Sequence, residues 1–185
     1  MSNNFCTGLR VMPLTLDYPH LQRVLDIRDE AFPANERIAA RNVSSYTEYT
    51  EKNGYVTLVF EDDNEPVGFM QMRHCGDDAY FGIYLAIGKE FRNRHYGSYA
   101  LKLVIEEYLK GKMMFGCVEA LLPEAENYQQ RVDRARFYQR NGMFVLDGVV
   151  DAGKMGKYQF VCTDPNVTFD QLKAKMSVAM PMLTV

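Results

Sequence analysis

Residues 79 to 110 constrain the fold of this chain more than any other stretch. Ala79 to Ile87 is a run of aromatic and apolar residues with little polarity, which reads as a central strand. Gly97 to Lys110 carries Leu101, Val104, Ile105 and Tyr108 at helical spacing, with Lys102, Glu106 and Lys110 on the opposite face. Gly111 stops that helix. Between the two lies a short basic turn, Arg92 to Ser98. A buried strand running through a basic turn into an amphipathic helix asks for a sheet with helices packed on it.

The flanking segments agree. Leu9 to Leu14 reads as a first strand. Asp17-Tyr18-Pro19 then reads as a helix start, with Asp17 able to cap. Leu21, Val24, Leu25, Ala31 and Phe32 supply the apolar face, Arg28 interrupts it, and Pro33 ends it. Glu36 to Lys52 is polar and reads as a second helix or a helix-loop segment, broken at Asn53-Gly54. Tyr55 to Phe60 and Val67 to Met72 pair as a hairpin around Asp62 to Glu65. Gly76-Asp77-Asp78 turns the chain into the central strand. After it come a strand from Phe115 to Leu122, a helix from Asn127 to Asn141 closed by Gly142, and a hairpin from Phe144 to Val150 and Lys157 to Cys162. The tail holds one short helix, Phe169 to Met176. The order is β-α-α-β-β-β-α-β-α-β-β, one domain of α/β (α+β) class with a mixed sheet.

Composition narrows the function. A net charge of -3 gives no footprint for nucleic acid or an anionic membrane. Cys6, Cys75, Cys117 and Cys162 are too far apart for a CxxC knuckle, and His20, His74 and His95 make no metal-binding pair, so no metal is expected. The N-terminus does not read as a signal peptide, and no run of about 18 apolar residues occurs. These features together read as a cytoplasmic protein with reduced thiols.

The basic turn carries chemistry. A helix N-terminus presents outward N–H groups and a partial positive charge, and phosphate binds there readily. Arg92 and Arg94 add formal charge, and Gly97 allows close backbone approach. The physics admits an anion site and a solvated basic loop equally.

The segment Tyr84-Leu-Ala-Ile-Gly-Lys-Glu-Phe-Arg-Asn-Arg-His-Tyr-Gly-Ser98 resembles the central motif of GNAT acetyltransferases: a strand, then Arg/Gln-x-x-Gly-x-Gly/Ala, then a helix. Arg92 takes the Arg/Gln position and Gly97 the second Gly. His95 stands where the first Gly is usual, so a residue with a Cβ must accept that backbone path. Arg136-Phe-Tyr-Gln-Arg-Asn-Gly142 resembles the Phe-Tyr-x-x-x-Gly-Phe ending of the last family helix, with Met143 for Phe. Phe32-Pro33-x-x-Glu36-Arg37 resembles the end of the first helix in small bacterial members. The resemblance covers roughly residues 8 to 163 and leaves 164 to 185 as a C-terminal extension, which would cap the domain or form a homodimer contact.

The resemblance implies a mostly antiparallel sheet, acetyl-CoA as acyl donor and an amine as acceptor, joined by direct attack in a ternary complex. Arg92, Asn93, Arg94, His95, Tyr96, Gly97 and Ser98 would cradle the pyrophosphate. The backbone of Leu85, Ala86 and Ile87 would meet the pantetheine arm and the oxyanion. Asn127 or Arg134 would also hold the cofactor arm. Tyr138 would sit near the sulfur and donate to the leaving thiolate. Glu119, alone among apolar residues of its strand, is the candidate base: it lies either on the solvated face by alternation or in the cleft, where desolvation would raise its pKa. Glu36 is a second carboxylate on the acceptor side, and Tyr84 and Tyr80 either line that side or belong to the core. The alternative to an enzyme is an acyl-CoA-binding sensor on the same fold.

Overall fold

A computed structural model describes residues 8–34, 37, 52–76, 78–153 and 156–179. The polar stretch read as a second helix lies outside them, apart from Arg37 and Lys52. Eight strands form one sheet: β1 Arg10–Pro13, β2 Tyr55–Asp62, β3 Glu65–His74, β4 Ala79–Ile87, β5 Met113–Glu119, β6 Phe144–Val145, β7 Val150–Asp151 and β8 Lys157–Cys162. Their order is β1-β2-β3-β4-β5-β8-β6, with β7 also on β8. The helices are α1 Leu21–Ala31, α2 Tyr96–Leu103, α3 Tyr128–Arg140 and α4 Phe169–Ala179. The sheet is mostly antiparallel, and β4 with β5 forms a parallel pair. Among the described residues no helix is long and apolar enough to cross a membrane.

The chain divides into two compact units, Met1–Arg73 with Ile83–Lys110, and His74–Gly82 with Gly111–Val185. In the first, β2 and β3 turn through Asp63 and Asn64 at φ 50° and 62°. Positive φ at both central residues is the tight turn that matches strand twist, and Asp and Asn tolerate it. Val59 and Phe69 from these strands, with Tyr84 and Ala86 from β4, bury against Leu21, Val24, Leu25 and Ile27 of α1. Gly68 is required where β3 crosses β4, because a Cβ there would lie 2.4 Å from the Ala86 carbonyl oxygen.

Two expectations fail in this unit. Asp17 does not cap α1, which begins at Leu21 with His20 preceding it. Tyr18 is drawn into the core, its hydroxyl donating to Glu61 Oε2 at 2.8 Å, and the turn that admits it delays the helix. Glu61 is buried and also takes Arg10 Nη2 at 2.6 Å. Burial first, and Glu61 beside it second, push the Tyr18 phenol well above its ordinary pKa. The second failure is in the long helix. After α2 the helix continues as a π-turn, Val104–Tyr108, closed by Leu109 N–H on Val104 C=O at 2.9 Å. That wider turn buries Leu109 and leaves Tyr108 only partly covered, shifting the apolar face by one residue.

In the second unit Phe81, Phe115, Phe160 and Phe169 form a continuous aromatic row, with ring centroids 5.2, 6.3 and 5.2 Å apart. The row runs from β4 through β5 and β8 to α4. The hairpin partner expected as one strand from Phe144 to Val150 is broken into β6 and β7. Gly148, at φ 115°, lies against the Phe169 ring, where a Cβ would fall 2.7 Å from Cδ2. Helix α4 runs past the expected Met176 to Ala179. It buries Leu172 and Met176 and anchors its Lys175 to Asp78 Oδ1 at 2.9 Å. Within the segment taken as an extension, Leu172 and Met176 are packed into the core of this unit. Replacing Leu172 with Ala should destabilise the protein by about 2–5 kcal/mol, read as a shift in denaturant midpoint. An effect within about 0.5 kcal/mol would show that α4 is dispensable.

Candidate active site

In the first unit the basic turn follows β4 directly. Lys89–Phe91 makes one tight 3₁₀ turn, then Arg92 to His95 lead into α2. Asn93 stands at φ 60° and His95 at φ 65°, ψ 0°, both left-handed. The residue replacing the usual glycine therefore does adopt the backbone that glycine favours. His tolerates this region better than most residues with a Cβ, which is why the substitution fits. Turns of this kind curl backbone N–H groups toward one point and bind anions. Tyr99 N–H bonds His95 C=O at 3.1 Å, so the N–H groups before it face out from the N-terminal end of α2.

The side chains divide into two sets. Arg92, Asn93, Arg94 and His95 are exposed. Arg92 Nε donates to Ile87 C=O at 3.0 Å, which ties the turn to the end of β4. The Arg94 guanidinium lies 5.9 Å from the Phe91 ring centre and 5.5 Å from that of Tyr96. Tyr96 is buried, so its side chain faces the core and only its backbone faces the turn. Gly97 and Ser98 are partly covered and continue the helix. Leu85, Ala86 and Ile87 end β4 past the last recorded β4–β5 pair, Gly82↔Gly116.

Of the two places open to Tyr84, the packing favours the core. It is buried among α1 and β3 residues, its ring 4.7 Å from Phe32 and 6.5 Å from Phe69. The alternation of β4 sends it to the α1 face, which is covered. Tyr80 belongs to the second unit, against His74 at 4.5 Å and under the Lys112 ammonium. Glu36 lies outside the described residues.

In the second unit Glu119, at the end of β5, is the centre of a polar cluster. Asn127 Nδ2 donates to Glu119 Oε1 at 3.0 Å, Arg134 Nη1 pairs with Oε2, and Arg131 Nη2 stands 3.7 Å from Oε1. Arg131 also donates from Nε to Asn127 Oδ1 at 2.7 Å and from Nη1 to Ala120 C=O at 2.8 Å. Sequence reasoning missed Arg131. Asn127, Arg131, Arg134 and Tyr138 are spaced four, three and four residues apart, so α3 carries all four on one face. That spacing was the available signal.

The rise in pKa that a desolvated cleft would give Glu119 is outweighed by its partners. Burial pushes it up, but the Asn127 hydrogen bond and the charges of Arg134 and Arg131 outweigh burial and hold the carboxyl below its ordinary value of 4.5. Tyr138 is raised by burial, against a smaller opposing pull from Arg134, so its phenol stays protonated at neutral pH. Burial also raises the Cys117 thiol to about 12, which keeps it unreactive. Among the described residues no group of three or more His, Cys, Asp and Glu is placed to hold a metal ion.

Two outcomes follow. A lowered carboxylate pKa gives stability that is present above the unfolded value and lost as pH falls through the folded one. The denaturant midpoint of the Glu119→Gln variant should therefore lie below wild type at pH 7, and the gap should close on acidification below about pH 4.5. A gap that does not change with pH would contradict the ion-paired state. Separately, His95→Gly should keep the melting temperature near wild type, since relief of the left-handed cost offsets the entropy of Gly, whereas β-branched His95→Val should lose about 1–2 kcal/mol. Equal stability of the two variants would contradict the left-handed backbone at position 95.

Comparison with known proteins now bears on this geometry. Among curated proteins none matches the chain by sequence. Among solved structures, a GNAT-family protein of Bacteroides thetaiotaomicron is 22% identical, with 95% of this chain and 99% of that one covered at a TM-score of 0.72. A GNAT acetyltransferase of Elizabethkingia anophelis, solved with acetyl-CoA bound, is 12% identical over 85% and 99% of the two chains at a TM-score of 0.61. A variant spermidine N-acetyltransferase of Vibrio cholerae is 11% identical over 84% and 92%, at a TM-score of 0.62. These likenesses show the fold. The model of the acetyltransferase (GNAT) family matches residues 21–143, which spans α1, the left-handed turn and all of α3, and the chain belongs to that family.

Proposed function

We propose that this protein transfers the acetyl group of acetyl-CoA to a primary amine, by direct attack of the amine on the thioester. The observation that carries the reading is the turn at residues 92–98: two left-handed residues, an exposed arginine tied to the end of β4, and the outward N–H groups of α2. An exposed basic turn of this shape fits a pyrophosphate. Leu85 to Ile87 lie beyond the β4–β5 ladder, where a strand edge can hydrogen-bond an extended pantetheine arm and offer N–H to an oxyanion.

Tyr138 and Glu119 belong to the second unit. Tyr138, protonated, is suited to donate a hydrogen bond to a departing thiolate. Its raised pKa makes it a donor rather than a full proton source, so the proton that the amine gives up ends on the CoA sulfur. The products are an acetamide and the free thiol. Glu119 is held ionised by its partners and is a weak base, so we assign it to positioning Asn127, Arg131 and Arg134. That same weakness favours the second reading, an acyl-CoA sensor without turnover.

Calorimetric titration with acetyl-CoA, then thiol release across polyamines, amino acids and peptide amines, separates the readings. Binding with release identifies an enzyme and its acceptor class. Binding without release on any amine favours the sensor, and no binding removes the proposal. If Tyr138 assists the leaving group, Tyr138→Phe should lower kcat roughly 10²-fold with the acetyl-CoA Kd nearly unchanged. Unchanged kcat would leave Tyr138 a packing residue.

A further inference from the structure

A left-handed residue with a Cβ persists only when its surroundings hold it there. Two bonds flank His95. On the strand side Arg92 Nε holds the Ile87 carbonyl. On the helix side Tyr96, the next residue, sends its hydroxyl to Asp62 Oδ2 at 2.6 Å. The Tyr96 ring is buried, edge-on to Phe91 at 5.8 Å, so it cannot follow solvent. Asp62 is equally constrained. It ends β2 opposite Glu65, immediately before the left-handed pair Asp63 and Asn64. Its Oδ1 occupies space that a Cβ on Gly8 would enter, at 2.6 Å. A hydrogen bond to an ionised acceptor is among the stronger kinds, and this one joins a rigid hairpin to the first residue of α2.

We propose that Asp62 is a positioning residue for the phosphate-binding turn. Acting through the Tyr96 hydroxyl, it holds His95 left-handed and so aims the N-terminus of α2 at the pyrophosphate of acetyl-CoA. This rests on the acetyl-CoA reading above. Asp62 itself touches no ligand. Its half-buried carboxylate is engaged by the Tyr96 hydroxyl, with Gly8 beside its other oxygen.

The test is calorimetric titration with acetyl-CoA of wild type and of Asp62→Ala, Asp62→Asn, Tyr96→Phe and the Asp62→Ala/Tyr96→Phe double variant, each with its melting temperature recorded. Asp62→Ala and Tyr96→Phe should each weaken acetyl-CoA roughly tenfold, the scale of one lost charged hydrogen bond. The double variant should be no weaker than either single one, because both remove the same bond. Asp62→Asn keeps an acceptor oxygen and should recover most of the affinity. Additive losses, no recovery with Asn, or lowered melting temperatures with an unchanged Kd would each overturn the positioning role. Failure of wild type to bind acetyl-CoA would overturn the acetyl-CoA reading and this inference with it.

Discussion

The left-handed backbone at Asn93 and His95 is the constraint around which the first unit is organised. It lets the chain leave β4, make one 3₁₀ turn and enter α2 within a few residues. Without it Tyr96 could not reach the core while the N–H groups of the first helical turn face outward. The cost of such a backbone, of order 1–2 kcal/mol for a residue with a Cβ, is offset by contacts on both sides: Arg92 on the β4 carbonyl, Phe91 and Arg94 against the Tyr96 ring, and Asp62 on its hydroxyl. The π-turn at the far end of the helix has the same logic. It gives up regular hydrogen bonding so that Val104 and Leu109 can both be buried.

The second unit solves a different problem, that of keeping a carboxylate at the end of an apolar strand. Glu119 is partly buried, which alone would favour its neutral form. Two arginines and an asparagine reverse that preference. The ion pairs of Glu119 tie the end of β5 to the face of α3 that also carries Tyr138. The aromatic row from Phe81 to Phe169 joins β4, β5 and β8 to a residue of α4. Phe169, Leu172 and Met176 of α4 thereby belong to the packing of this unit.

Elements whose own residues specify them were legible. Ala79 to Ile87 is apolar throughout and became β4 at those bounds. The hairpin turn has Asp and Asn where positive φ is needed, and α3 runs between a flanking Asn127 and a C-terminal Gly142. His95 could be singled out because a motif with glycine at that position exposes any residue that replaces it. The roles that failed were those depending on a distant partner. Asp17 has the chemistry of a cap, but Tyr18 had an acceptor in Glu61, far along the chain, and the helix start moved. For Tyr84 the sequence left core and acceptor side both open, and its burial depends on α1 packing over that face of β4. Arg131 carried no motif, and its importance depends on Glu119 and Ala120 lying beside α3.

The sequence by itself determined the order of the elements from Tyr55 to Arg140, the basic turn at a helix N-terminus and the helical face that carries Asn127, Arg134 and Tyr138. Periodicity, turn chemistry and local charge are short-range properties, and neighbouring residues suffice to define them. Tertiary structure decided which polar groups meet. It made Glu119 an anion through Arg131 and Arg134, joined Tyr96 to Asp62, and brought α4 onto the aromatic row. The protonation state of a group follows from the charges and the dielectric around it in space. No spacing along the chain encodes that surrounding until the strands have paired and the helices have packed.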